Sequence, residues 1–129
     1  MNKVQVHSLF TEFDIDLFKA GKHFRLYEKL GAHPIELDGV KGVYFAVWAP
    51  SAQSVSVVGD FNYWIAGNHE LYVRWDASGI WEGFIPNITK GTTYKYKIQS
   101  SNNGIVTEKA DPFAFYCEKP PHTASVIWD

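Results

Sequence analysis

With 129 residues the chain has the size of one domain, and its 46% hydrophobic content is enough for a real core. A net charge of −2 with no basic tract excludes an electrostatic nucleic-acid or anionic-membrane footprint. The one cysteine, Cys117, excludes an internal disulfide and fits a reducing, cytoplasmic setting; no apolar run approaches the ~18 residues of a spanning helix, and the N-terminus lacks the apolar segment of a signal peptide.

Residues 8–30 read as helical. Leu9, Phe10, Phe13, Leu17 and Phe18 recur mainly at spacings of three and four, Ser8 is the expected N-cap and Gly21 the expected stop. A second short helical piece, 24–30, ends at Gly31, and Ala32-His33-Pro34-Ile35 follows as an extended connection because the residue before proline avoids helical angles. From about residue 40 the period changes to two. Val43, Phe45 and Val47 alternate with Tyr44, Ala46 and Trp48; Val55 and Val57 form the next strand; 71–75 and 81–85 follow, separated by a turn at 76–79. The cleanest strand is Tyr94-Lys95-Tyr96-Lys97-Ile98, with the tyrosines inward and the lysines outward. Asn102-Asn103-Gly104 is a hairpin signal returning into 105–108, residues 111–115 and 120–121 read as irregular, and 124–128 is a last strand. The expected fold is all-β, an immunoglobulin-like antiparallel β-sandwich over residues 39–129, with an N-terminal helical and linker segment over 1–38. The sequence stops directly after a predicted strand, as a chain cut from a longer one would.

Catalytic machinery is not apparent. The five histidines have no metal-ligand spacing and none lies beside Cys117, so neither a metal nor a cofactor is expected. There is no nucleophile elbow and no glycine-rich phosphate loop. Asp14 and Asp16 lie two apart on a predicted helix and point to different faces, so they form no acid–base pair there.

What needs explaining is the segment after Val57-Val58. It breaks at Gly59-Asp60 and places Phe61, Tyr63 and Trp64 in a loop, whereas connections are usually polar. Either these rings fold back into the core or at least one is displayed as a platform. Sugar rings dock their axial C–H faces on flat aromatic rings, with polar groups bonding the rim hydroxyls. Trp64 beside Asn62, with Lys95 outward on its strand, has that composition. Trp48, Trp75, Trp81 and Trp128 are expected in the core or against the N-terminal helices.

Gly42–Pro50, Val57–Trp64, Gly79–Glu82, Tyr94–Ile98 and Lys109–Phe115 resemble the glycogen-binding type of carbohydrate-binding module, family 48. Leu26–Pro34 and Pro120–Asp129 are similar to the region preceding the catalytic barrel of glycogen branching enzymes. The resemblance covers about residues 9–129. It implies a sandwich that touches α-1,4-glucan and packs on a (β/α)8 barrel of the same parent chain. It also implies a parent enzyme that moves oligoglucan from α-1,4 to α-1,6 linkage. The catalytic residues of such enzymes lie in the barrel, so this chain alone is expected to be inactive. By the resemblance Trp64 is the glucan-stacking tryptophan and Lys95 the hydroxyl-bonding lysine; Asn62 and Asn103 complete the expected contact set, and Asp111, Pro112 and Phe113 are expected at the barrel interface. Two departures stand out. Asn62-Tyr63-Trp64 replaces the common Asn-Gly-Trp, and Ile105 stands where those modules carry a second stacking tryptophan, which implies weak binding, with Kd ~0.1–1 mM. Competing readings are a free-standing glycogen-targeting or regulatory module, the N-terminal domain of a debranching-type hydrolase, and a structural sandwich with no sugar role.

Overall fold

A computed structural model describes residues 3–21, 29–76, 78–111, 116–117 and 124–127. In chain order the elements are α1 (Glu12–Lys19), β1 (Gly31–Leu37), β2 (Val40–Trp48), β3 (Ala52–Gly59), a 3-10 turn at Asp60–Asn62, β4 (Tyr72–Val73), β5 (Ile80–Pro86), β6 (Thr93–Ser100), β7 (Val106–Lys109), β8 (Tyr116–Cys117) and β9 (Ser125–Val126). They form two antiparallel sheets, β1-β2-β5-β4 and β3-β6-β9-β8, with β7 also on β6. Because β3 occupies one edge of β6, β9 and β7 share the other edge, β9 along Thr93–Tyr94 and β7 along Tyr96–Gln99. This is the expected immunoglobulin-like sandwich.

Period-two alternation builds the layer between the sheets. Val43, Phe45 and Val47 of β2 meet Val55 and Val57 of β3 and Tyr94 and Tyr96 of β6 in one buried cluster. The Phe45 ring meets those of Tyr94 and Tyr96 edge-on at 5.2 and 6.5 Å. The opposite phase of β2 is buried too. Tyr44 and Ala46 pack with Ile80, Phe10, Ile15 and Leu30 in a second cluster, so the N-terminal segment covers the outer face of the first sheet. That is why β2 reads as a near-continuous apolar run.

Four features differ from the sequence reading. The helix starts at Glu12, and its cap is Thr11 rather than Ser8. Asp14 N–H donates to Thr11 Oγ1 (3.1 Å) while the Asp14 carboxylate accepts from Thr11 N–H (2.9 Å), a reciprocal capping box. Ser8 Oγ instead accepts from Phe10 N–H and donates to Glu82. With this later start the buried helical residue is Ile15, and Phe13 is exposed; Gly21, at φ +70°, follows the helix as expected. The side chain of Phe18 and residues 24–28 of the second predicted helical piece lie outside the described residues.

Second, Ala32–Ile35 is no mere connection. It belongs to β1, paired in full register from Gly31↔Ala46 to Leu37↔Val40. Asp38 and Gly39, both at positive φ (52° and 82°), make the two-residue turn that matches hairpin twist. Pro34 is tolerated because β1 is an edge strand. Val4 is also buried in the sandwich core and Gln5 bridges Phe84, so both ends of the nominal linker join the sheet. Third, residues 69–71 first run along β3, with Val57 N–H bonded to His69 O and Leu71 N–H to Val55 O; only Tyr72–Val73 then pair with β5. The predicted strand 71–75 is thus a segment that changes sheets. Fourth, β8 was not expected; residues 112–115 and 120–121, read as irregular, lie outside the described residues.

Candidate functional site

The loop after β3 is fixed from within. Gly59 is obligatory, since a Cβ there would collide with the Thr93 carbonyl oxygen and the Phe61 ring. Asn62 is buried, and its amide is committed to the loop. Its Oδ1 accepts from Gly59 N–H (3.0 Å), and its Nδ2 donates to Val57 O (2.9 Å) and reaches His69 Nδ1 (3.2 Å). Burial, followed by the Lys3 charge, holds the His69 imidazole below its ordinary value and so favours the neutral ring; Asn62 Nδ2 can only donate, so this contact requires Nδ1 as the acceptor. Phe61 packs against the core and meets His69 edge-on at 5.1 Å. The chain then passes through two left-handed residues in succession, Tyr63 (φ 55°) and Trp64 (φ 61°), closed by Trp64 N–H to Gly59 O (2.9 Å) and Ile65 N–H to Asn62 O (3.1 Å).

Trp64 is half-buried, and its indole edge is tied down. Nε1–H donates to Asp60 Oδ1 (2.9 Å), while Asp60 Oδ2 accepts from Thr93 Oγ1 (3.2 Å). Tyr94 and Tyr96 of β6 point into the core, so Thr93, Lys95 and Lys97 face outward in a row. Lys95 lies opposite Val58, and its Nζ is 3.6 Å from Glu108 Oε1 on β7. Trp64 is therefore linked through Asp60 to Thr93, on the same outward row of β6 as Lys95, while Val58 and Ser56, opposite Lys95 and Lys97, are buried on this face.

The other expected residues are placed differently. Asn62, expected to contact glucan, faces inward and supports the loop. Asn103 lies at the β6–β7 turn, where its Oδ1 accepts from Ile105 N–H (3.0 Å). Tyr94 faces Gly59 and Ser100 faces Ala52, so that turn is at the opposite end of β6 from the Trp64 loop, ~20 Å away at the strand rise. Ile105 there lines a cavity of about 400 Å³ with Trp48, Pro50, Ile98, Thr107 and Lys109. Asp111, expected at an interface, is buried. Its Oδ2 accepts from Tyr94 Oη (2.6 Å) and Tyr96 Oη (3.1 Å), and its N–H donates to Ser125 Oγ (2.7 Å). Burial, then the Asp111 charge, pushes the Tyr96 phenol well up. Pro112, Phe113 and Trp128 lie outside the described residues. Trp81 is buried as expected, but Trp48 and Trp75 are 53% and 82% exposed.

Sequence reasoning missed Asp60, Thr93 and Glu108. Asp60 had a signal, four residues ahead of Trp64 in the same loop. Thr93 and Glu108 had none, because cross-strand register places them. Among the described residues no group of three or more His, Cys, Asp or Glu is arranged to hold a metal ion.

A sandwich whose aromatic loop is built from its own buried amide, beside an outward lysine row, has the form of a sugar-binding domain. The chain belongs to the family Carbohydrate-binding module 48 (Isoamylase N-terminal domain), whose model matches residues 29–114, β1 included. It is 54% identical over 119 residues to the 1,4-alpha-glucan branching enzyme GlgB of Thermosynechococcus vestitus, covering 92% of this chain and 15% of that enzyme. It is 50% identical over 121 residues to GlgB of Aquifex aeolicus, covering 94% of this chain and 19% of the enzyme. The chain thus spans less than a fifth of the length of these relatives. Among solved structures it resembles a Klebsiella pneumoniae pullulanase complexed with maltotriose, at 29% identity and a TM-score of 0.60 over 78% of this chain and 9% of the other.

Proposed function

We propose that this chain is a non-catalytic α-glucan-binding module of a 1,4-alpha-glucan branching enzyme, and that the enzyme's catalytic barrel lies outside it. The identity of 50–54% to branching enzymes, against 29% to the pullulanase, favours that parent over a debranching hydrolase. The observation that carries glucan binding is the Trp64 indole, anchored by Asp60 on the same face as Thr93 and Lys95. Trp64 is the stacking platform, Lys95 the donor to sugar hydroxyls, and Asn62 the support that holds the loop. The exposed Trp48 and the cavity it lines with Pro50 and Ile105 support docking of the barrel at the Ile105 end of the sandwich.

Titration of the chain with maltoheptaose, followed by tryptophan fluorescence and amide shifts, tests the site. The expected Kd is ~0.1–1 mM, with shifts clustered on Trp64 and Lys95. Trp64→Ala is expected to weaken binding by about tenfold or more. Undiminished binding in that variant would remove the site assignment. No shift at millimolar glucan would leave a domain that only supports the barrel.

A further inference from the structure

Tyr63 is costly where it stands. It is 86% exposed, and among the described residues its ring and hydroxyl find no packing or hydrogen-bond partner. It also sits in the left-handed region (φ 55°, ψ 30°), where a residue with a Cβ is strained and glycine is not. Glycine at position 63 would remove the strain and lose no contact inside the fold. Strain of this kind persists only where the surroundings impose it, and here they do: Asn62 is buried and hydrogen-bonded on one side, and Trp64 is tied to Gly59 and Asp60 on the other. The loop thus forces an exposed phenol ring outward, next to the anchored indole.

We infer that Tyr63 is a second sugar-contacting ring, which with Trp64 grips two neighbouring glucosyl units of one α-1,4-linked chain. This rests on the glucan-binding reading of Trp64. Successive residues in a left-handed turn send their side chains ~100° apart, the mirror of the 3.6-residue turn. The two rings therefore diverge rather than stack on each other. An α-1,4-glucan is curved, and consecutive glucosyl units present their apolar faces in turning directions, so a divergent pair of rings fits it better than a flat β-linked chain. The phenol also adds a hydroxyl donor and acceptor at the edge of a ring whose body is apolar. In this arrangement both rings of the grip come from one loop, and the Ile105 turn at the far end of β6 contributes none.

The test sets stability against affinity in Tyr63→Gly, with Tyr63→Phe and Trp64→Ala in parallel, each titrated with maltoheptaose and with cellohexaose. Tyr63→Gly is expected to raise the melting temperature by a few degrees while weakening maltoheptaose binding by about 3–10-fold. Tyr63→Phe is expected to keep binding within about twofold of the wild type. Cellohexaose is expected to bind more weakly than maltoheptaose to the wild type, and Tyr63→Gly to narrow that difference. A lowered melting temperature in Tyr63→Gly would show a structural role and overturn the inference. So would wild-type binding that falls in Trp64→Ala but stays unchanged in Tyr63→Gly, which leaves the Trp64 site standing. A wild-type chain that binds no maltoheptaose overturns both.

Discussion

The two sheets have outer faces of opposite character. On the first sheet the chain covers its own surface. Phe10, Ile15 and Leu30 close over Tyr44, Ala46 and Ile80, and the polar groups beneath are satisfied internally. Arg74 Nη1 donates to Glu82 (3.0 Å) and to Ser8 (2.6 Å), its Nε donates to Asp76 (2.9 Å), and its guanidinium lies over the Phe10 ring at 5.8 Å. Glu82 also accepts from Tyr44 Oη at 2.7 Å. Burial lowers Arg74, but its bond to Asp76 and the Glu82 charge outweigh this and raise it; burial raises Asp76, but bonds from Ser78 and Arg74 outweigh it and hold the carboxyl low. Burial, then the Glu82 charge, pushes the Tyr44 phenol up. On the second sheet Thr93, Lys95 and Lys97 are half-buried in the outward row of β6, and the ion pair of Lys95 with Glu108, at 3.6 Å, is long and partly exposed. A face whose polar groups are paired inward supplies stability, whereas a long, partly exposed pair can be exchanged for a ligand at little cost.

Breaking the closed face should have the largest effect. Arg74→Ala leaves Glu82 buried without its cation, and a loss of about 3–5 kcal/mol is expected in urea unfolding. An unchanged midpoint would mean that the apolar contacts of the N-terminal segment hold this face alone. The open face should respond differently, because its polar groups can be removed at little cost unless they support the loop. Asn62→Ala probes that support. With Gly59 N–H and Val57 O left unpaired in a buried position, a loss of about 1–3 kcal/mol is expected, accompanied by weaker maltoheptaose binding as Trp64 loses its mount. Retained affinity at reduced stability would separate the loop's fold from its display.

The smallest expected effect is a pH dependence carried by His69. Its folded value lies below 6.5, so the unfolded chain binds the proton more readily. Stability therefore rises with pH in this window: it is present above about pH 6.5 and is lost as pH falls from there toward the folded value. Melting temperatures measured between pH 8 and 5 should show this fall in the wild type and a shallower one in His69→Gln. Parallel curves would assign the acid sensitivity to other groups, Asp76 first, since its depressed carboxyl also loses stabilisation on protonation, further into acid.

Much of the sandwich was legible because alternation alone assigns a strand its two faces. Val43, Phe45 and Val47, Val55 and Val57, and Tyr94 and Tyr96 all point where their period predicts. β1 was not legible, since His33-Pro34 masks the alternation and only pairing with β2 makes the segment a strand. The helix phase was misread because Thr11, and not Ser8, takes the first turn, while Ser8 is drawn off by Glu82 and Arg74, 74 and 66 residues away. At the candidate site the loop position of Trp64 and the outward placement of Lys95 could be read from local pattern and family resemblance. The inward turn of Asn62, the remoteness of Asn103 and the burial of Asp111 could not, because each depends on partners distant in sequence or on strand register.

Local sequence dictates the period of each strand, the break at Gly59, and an aromatic loop with a lysine displayed on a neighbouring strand. These are local consequences of side-chain alternation and backbone freedom. Long-range packing sets how each loop ring is used. Phe61 found His69 and the core, the Trp64 indole found Asp60 and through it Thr93, and Tyr63 found no partner among the described residues. Which partner a ring meets is set by strand pairing and packing across the sheet, over separations that no local pattern encodes.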